Sequence, residues 1–198
     1  VISIGYREGS VPFSYLDDNH QPVGYSIDIC NRIVIAIRKQ LKLKTLAVRL
    51  MPMTPATRIP LVANGTIDLE CGVTTNTQER QNSVAFSVTT FVTESRLVSK
   101  RKSPVLRIDD MRGKAVVTTI GTTSMRYLNE LNQSRQLGME ILAGRDDADS
   151  FLMVAAGRAQ AYAMDDVLLR SFIANAQQPD DYLISTETLS IEPYGIML

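Results

Sequence analysis

Short apolar strands alternate with helix-period segments along this chain, and the alternation starts twice, once at Val1 and again at Lys114. Strand, helix, strand, helix, strand over residues 1–71 implies βαβ units, because parallel neighbours need a crossover and a helix is the usual one. Val1–Tyr6 opens as a strand. From Ser26, Ile27, Cys30, Ile33, Val34, Ile37 and Leu41 recur at three- and four-residue spacing, predicting a helix with Ser26 as its cap and Asp28 at the positive end of its dipole. Ala47–Met51 is the next strand. A short helix over Ala56–Asn64, stopped by Gly65, leads to a buried strand over Ile67–Cys71. After an extended stretch over Ala85–Lys100 and a polar connection, the scheme restarts. Strands are expected at Lys114–Ile120, Met139–Ala143, Ala159–Met164 and Tyr194–Leu198. Helices are expected after Gly121, over Asp149–Ala156 and over Val167–Ala176.

Two doubly wound α/β lobes with mainly parallel sheets follow from this pattern. Lobe 1 takes residues 1–93 plus 194–198 and lobe 2 takes 94–193. Hinge segments lie at about 91–98 and 189–194, and a ligand is expected where the strands' carboxyl ends meet the hinge.

Composition removes several function classes. The 198 residues carry 21 basic and 21 acidic side chains; residues 1–93 hold nine Lys/Arg and seven Asp/Glu, and residues 94–198 hold twelve and fourteen. Neither half has the basic excess that counterion release on nucleic acid exploits, so no nucleic-acid partner is expected. No apolar run approaches the ~20 residues of a membrane span, and any targeting segment has been removed or lies outside this stretch. Cys30 and Cys71 have no metal-ligand spacing; two small buried hydrophobes are the preferred reading over one disulfide. His20, the single histidine, falls in a polar turn. With no Walker loop, no G-x-S-x-G, no H-E-x-x-H and no G-x-G-x-x-G, neither catalysis nor a cofactor or metal is expected.

Binding signals are stronger. Thr74–Arg80 (TTNTQER) follows a buried strand; hydroxyls and free N–H groups there suit an anion, with Arg80 able to grip a carboxylate, and a capped turn carrying a surface arginine is the alternative. Gly121–Ser124 (GTTS) marks a strand passing into a helix N-terminus, either an anion site or plain capping. Asp165–Asp166 ends an apolar strand on the ligand side of the sheet and suits an ammonium, although Asp166 could instead cap the next helix. Arg7, after the first strand, and Arg58, in a helix's first turn, reach the same edge of lobe 1.

At these residues the chain resembles the bacterial periplasmic amino-acid-binding proteins of ABC transporters, nearest to the glutamate/aspartate-binding branch. REGSVPFSY at 7–15, VGYS at 23–26, RIPL at 58–61, ECG at 70–72, TTN at 74–76, ERQ at 79–81, GTTS at 121–124, DSF at 149–151 and MDD at 164–166 carry the likeness in order from end to end. The resemblance implies a type II, Venus-flytrap clamp with a two-segment hinge, a leader peptide in the precursor, a periplasmic location, a free amino-acid ligand and an ABC transporter permease as partner.

Position by position, the likeness assigns Arg80, Thr75 and Thr123 to the ligand α-carboxylate. It assigns Asp165 and the Val73 carbonyl to the α-ammonium, and Arg7 and Arg58 to a side-chain carboxylate. Val73 and Pro55 stand where the branch has serines, and Asp147 where it has a histidine. Asp147 brings a negative charge that could favour glutamine or asparagine, but two arginines against one aspartate keep an acidic ligand first. The family continues past this chain's end, so a missing C-terminal part, or a longer receptor, is implied. The sensing domain of a receptor or histidine kinase is the alternative use of this fold. A cyclohexadienyl dehydratase-like enzyme, with Asp147 as its acid, is a weaker one.

Overall fold

The computed structural model describes all 198 residues. In chain order the elements are β1 (Ile2–Tyr6), β2 (Gly9–Ser10), β3 (Ser14–Leu16), β4 (Pro22–Val23), α1 (Tyr25–Gln40), β5 (Val48–Pro52), α2 (Arg58–Ala63), β6 (Leu69–Glu70), α3 (Gln78–Gln81) and β7 (Phe91–Lys100). After a 3-10 turn at Ile108–Met111 come β8 (Ala115–Thr119), α4 (Thr123–Ser134), β9 (Glu140–Gly144), α5 (Asp147–Ala155), β10 (Ala161–Asp165), α6 (Asp166–Ala174), β11 (Tyr182–Ile184) and β12 (Ser190–Tyr194). The chain forms two compact units, Val1–Val92 with Pro193–Leu198, and Thr93–Glu192. It passes from one to the other inside β7 and returns inside β12.

In the first unit, β1 is the centre of a parallel sheet ordered β5-β1-β6. Ile4 from β1 packs with Ile27, Cys30 and Val34 of α1, with Leu69 and with Ile196. The opposite side of the sheet packs Met53, Val62, Ile67, Val84 and Met197. Two expectations are corrected here. Helix α1 starts at Tyr25 with Gly24 as its N-cap, and no side chain caps it; the Ser26 hydroxyl, inside the first turn, donates instead to the Gly72 carbonyl at 2.7 Å. Gly24 has φ +123°, and a Cβ there would lie 2.4 Å from the Phe13 carbonyl oxygen, so this sharp entry into the helix admits only glycine. Cys30 and Cys71 are not free thiols: they form a disulfide with their Cα atoms 6.3 Å apart. The helix period placed Cys30 on the inner face, and the sheet brings the end of β6 directly beneath it.

The final strand is also displaced from its expected position: β12 is Ser190–Tyr194, and residues 195–198 run on as an extended tail. The tail is held by Glu70 N–H to Met197 O at 2.8 Å, Ser87 N–H to Ile196 O at 2.9 Å and Gly195 N–H to Thr74 O at 3.1 Å.

The second unit's sheet runs β11-β7-β10-β8-β9, with β12 beside β7. It is mixed rather than mainly parallel: β8 is parallel to β9 and β10, whereas β7 is antiparallel to β10 and β11. Val116, Leu97, Ala161 and Ala163 from the strands pack with Leu128 of α4 and with Ile108 and Met111 of the 3-10 turn. The βα alternation places the N-termini of α4, α5 and α6 just after the carboxyl ends of β8, β9 and β10, where open α/β sheets expose backbone donors.

Candidate functional site

The first unit collects cations. Arg7 leaves β1, Arg58 is the first residue of α2, and Arg80 sits in α3; their side chains are only 5%, 3% and 9% exposed. That three guanidiniums are buried is a departure from ordinary surface arginines, and each must be met by acceptors. Arg58 Nη1 donates to the Val73 carbonyl at 2.7 Å and to Thr74 Oγ1 at 2.8 Å. Arg80 Nη1 donates to the Thr75 carbonyl at 2.8 Å, and its own N–H is accepted by Thr77 Oγ1, the α3 cap, at 3.2 Å. The Arg7 N–H donates to Ser14 Oγ at 2.9 Å. The turn after β6 is therefore capped, but its arginine is buried rather than solvated.

This loop is fixed from below. Asn76 N–H donates to Pro193 O at 2.8 Å, and Thr75 bridges Tyr194. Val73, Thr74 and Thr75 are all buried. The Val73 carbonyl, assigned by resemblance to a ligand ammonium, already accepts from Arg58, so one lone pair is left for that role. Pro55 is buried as well.

Glu70 is the residue that sequence reasoning missed here. It is fully buried, and neither carboxylate oxygen has a partner at hydrogen-bonding geometry. Burial pushes its carboxyl above the ordinary 4.5, against the opposing pull of Arg58, the nearby Thr74 hydroxyl, Arg7 and Arg80. In sequence it lies in the alternation Ile67, Leu69, Cys71 on one face and Asp68, Glu70 on the other. That pattern reads as an ordinary polar face.

The second unit collects carboxylates. Asp147 begins α5 and Asp165 ends β10 as the N-cap of α6; they are 2% and 6% exposed. The Tyr162 hydroxyl donates to Asp147 Oδ1 at 3.4 Å, and Thr119 Oγ1 shares hydrogen bonds with Tyr162 and Ser150 at 3.0 Å each. Asp166 is not the cap: it is the first helical residue, and its carboxylate accepts from Thr93 at 2.9 Å and Arg170 at 3.2 Å. Thr122 caps α4, accepting from Met125 N–H at 3.3 Å, and this places Thr123 on the helix's first turn. Thr123 Oγ1 donates to Glu192 Oε2 at 2.8 Å. Glu192, fully buried, is a second residue that went unnoticed in sequence, where the alternation Leu189, Ser190, Ile191, Glu192 puts it on a polar face.

So the structure places Arg7, Arg58, Val73, Thr75 and Arg80 in one unit, within a single hydrogen-bonded and charged cluster. It places Thr123, Asp147 and Asp165 in the other, each at the head of a helix. No group of acidic, Cys and His side chains has the arrangement to hold a metal.

A sequence model of the bacterial extracellular solute-binding proteins, family 3, matches residues 2–179. The L-glutamate/L-aspartate-binding protein of Pseudomonas aeruginosa is 46% identical over 198 residues, covering 100% of this chain and 66% of that protein. The glutamate/aspartate import solute-binding protein of Escherichia coli is 47% identical with the same coverage. The chain thus spans 66% of the length of these relatives. Among solved structures, holo ArgBP from T. maritima has a TM-score of 0.85 at 28% identity, covering 100% of this chain and 81% of that one. An ancestral arginine-binding protein bound to arginine reaches 0.86 at 27%, covering 100% and 83%.

Proposed function

The chain belongs to the bacterial extracellular solute-binding proteins, family 3, with the type II periplasmic-binding-protein fold, and on that premise we propose that it binds a free acidic amino acid, glutamate or aspartate, in the periplasm for delivery to the permease of an ABC importer. The observation that carries this reading is the cluster of three buried arginines, Arg7, Arg58 and Arg80, against one buried carboxyl, Glu70. Such a cluster leaves a net positive site that an anion with two carboxylates satisfies and a neutral or cationic side chain does not. The relatives whose printed names include glutamate and aspartate support the same choice.

In this reading Arg80 takes the α-carboxylate, with help from Thr75 and Thr123 at the head of α4. Asp165 and the free lone pair of the Val73 carbonyl take the α-ammonium. Arg7 and Arg58 take the side-chain carboxylate. Each ligand charge is desolvated on entry and needs a paired, hydrogen-bonded counter-charge, which these groups supply. A ligand that draws on groups of both units favours the conformation in which both reach it, so capture is a population shift. No bond is made or broken, and the protein acts without catalysis.

Asp147 favours a second reading. It is buried at 2% exposure, and a carboxylate brought near the ligand's side chain would suit the amide of glutamine or asparagine. A thermal-shift series with L-glutamate, L-aspartate, L-glutamine, L-asparagine and L-arginine decides. The strongest stabilisation is expected with the two dicarboxylates; stabilisation only by the amides selects the second reading, and stabilisation only by arginine removes both.

A further inference from the structure

The position of Glu70 carries an inference that rests on this functional reading and deepens it. Its backbone is held on both sides: Glu70 N–H donates to Met197 O at 2.8 Å and Cys71 N–H to Gly5 O at 2.9 Å, while Cys71 is tied to Cys30. The side chain lies directly beneath the loop that carries Val73–Thr75. A Cβ on Gly72 would come within 2.3 Å of Glu70 Oε1 and 3.1 Å of Arg7 Cγ, so the glycine is what lets the carboxyl and the Arg7 stem pack under the backbone. The carboxyl is fully buried there.

The charged groups that act on it come from three elements: Arg58 of α2, Arg7 after β1 and Arg80 of α3, with Thr74 the one polar neighbour that lowers it. Met53, beside Gly72, brings no charge, and the tail residue Met197 meets Glu70 through its backbone carbonyl. Burial disfavours the charged form, and the guanidiniums together with the Thr74 hydroxyl oppose that. These are the same guanidiniums that the proposed ligand uses. A dicarboxylate docking on them adds negative charge beside Glu70 and spends the attraction that held it ionised.

We propose that Glu70 is the proton-accepting counter-ion of the arginine cluster, ionised while the arginines lack an anionic ligand and protonated from solvent once a dicarboxylate amino acid docks on them. Ligand capture then takes up a proton, and the cluster keeps its net positive charge for the ligand. Burial already disfavours the carboxylate, and losing the arginines' pull moves it further toward the protonated form. Glu70 acts on the ligand through the arginines and is a positioning residue, not a contact.

The test is calorimetric titration of the full chain with L-glutamate in buffers of different ionisation enthalpy near neutral pH. The binding enthalpy is expected to vary with the buffer in the sense of proton uptake, and affinity to tighten on acidification, by up to ~tenfold per pH unit for one whole proton. Both effects should vanish in Glu70→Gln and persist in His20→Gln, which removes the only histidine. Should Glu70→Gln not fold, infrared spectra of wild-type protein carrying 13C-carboxyl glutamate residues report directly: a protonated-carboxyl band must appear on adding ligand. Buffer-independent enthalpy, or no such band, overturns the proposal while leaving glutamate binding intact. No binding of L-glutamate removes the functional reading and this inference together.

Discussion

Thr123 Oγ1 donates to the carboxylate of Glu192 at 2.8 Å, with Thr123 at the head of α4 and Glu192 on the strand by which the chain leaves the second unit. A hydroxyl has one hydrogen, and here it is committed. Toward the ligand's α-carboxylate, Thr123 therefore offers its backbone N–H at the helix's positive end rather than its hydroxyl. Thr123→Val should lower stability by ~1.5–3 kcal/mol, the scale of a hydrogen bond to a buried charge. Thr123→Ser should restore most of it. Urea unfolding of both variants reads this, and equal stability of Val and Ser variants would show that the bond contributes nothing.

Arg80 pairs with the Thr75 carbonyl at 2.8 Å within the same loop that would receive an α-carboxylate. Arg80→Ala should weaken binding of L-glutamate by at least ~1.5–3 kcal/mol, measured by calorimetry on a variant whose circular dichroism matches wild type. Near-wild-type affinity in the folded variant removes Arg80 from the ligand's contacts.

The disulfide joins residues 41 apart in sequence. Closing a loop of that size restricts the unfolded chain by about 4 kcal/mol in the loop-entropy model, and observed effects run ~2–4 kcal/mol. The paired substitution Cys30→Ala with Cys71→Ala should lower the unfolding free energy within that range. Because Cys71 adjoins Glu70 and Gly72, it should also loosen the arginine cluster and weaken L-glutamate binding. Unchanged affinity would confine the disulfide to a purely global effect.

Glu94 sets part of the acid response. Thr188 Oγ1 and Arg96 Nε donate to its Oε2 at 2.8 and 2.9 Å, and these two hold the carboxyl below its ordinary 4.5. A depressed carboxyl stabilises the fold above about pH 4.5, and the contribution is lost as pH falls through the lower folded value. Glu94→Gln should flatten the melting temperature's dependence on pH on the acid side and leave its slope near neutrality alone. An unchanged acid slope would assign the response to other carboxyls.

The βα alternation was legible because α1 shows its period, with Ile27, Cys30 and Val34 at three- and four-residue spacing, and because short apolar strands separate the helical segments. What escaped is non-local. Ser26 is a good cap by type, yet its hydroxyl is taken by Gly72, 46 residues away, and the cap position falls to a glycine with positive φ. Cys30 and Cys71 look like core residues singly, and only the sheet shows that they meet. The mixed sheet of the second unit depends on β7 running opposite to β10, a direction that the sequence pattern does not encode. Glu70 and Glu192 are charged residues in short strands. Alternation alone sends such residues to solvent, whereas the arginines and Thr123, placed by other elements, are what make their burial tolerable.

In the proposed reading, Asp147 weighs against an acidic ligand and for an amide one. It is buried, and it is held by the Tyr162 hydroxyl at 3.4 Å, a contact that an asparagine oxygen can keep. Asp147→Asn therefore removes a charge while preserving an acceptor. Two like charges about 8 Å apart at an effective dielectric near 20 repel by ~2 kcal/mol. Removing that repulsion should favour L-glutamate over L-glutamine by about tenfold or more relative to wild type. Paired calorimetric titrations of the two ligands against both proteins measure the change. If the glutamate-to-glutamine ratio is the same in Asp147→Asn as in wild type, Asp147 stays outside the reach of the ligand's side chain, and the choice of an acidic ligand falls to Arg7 and Arg58 alone.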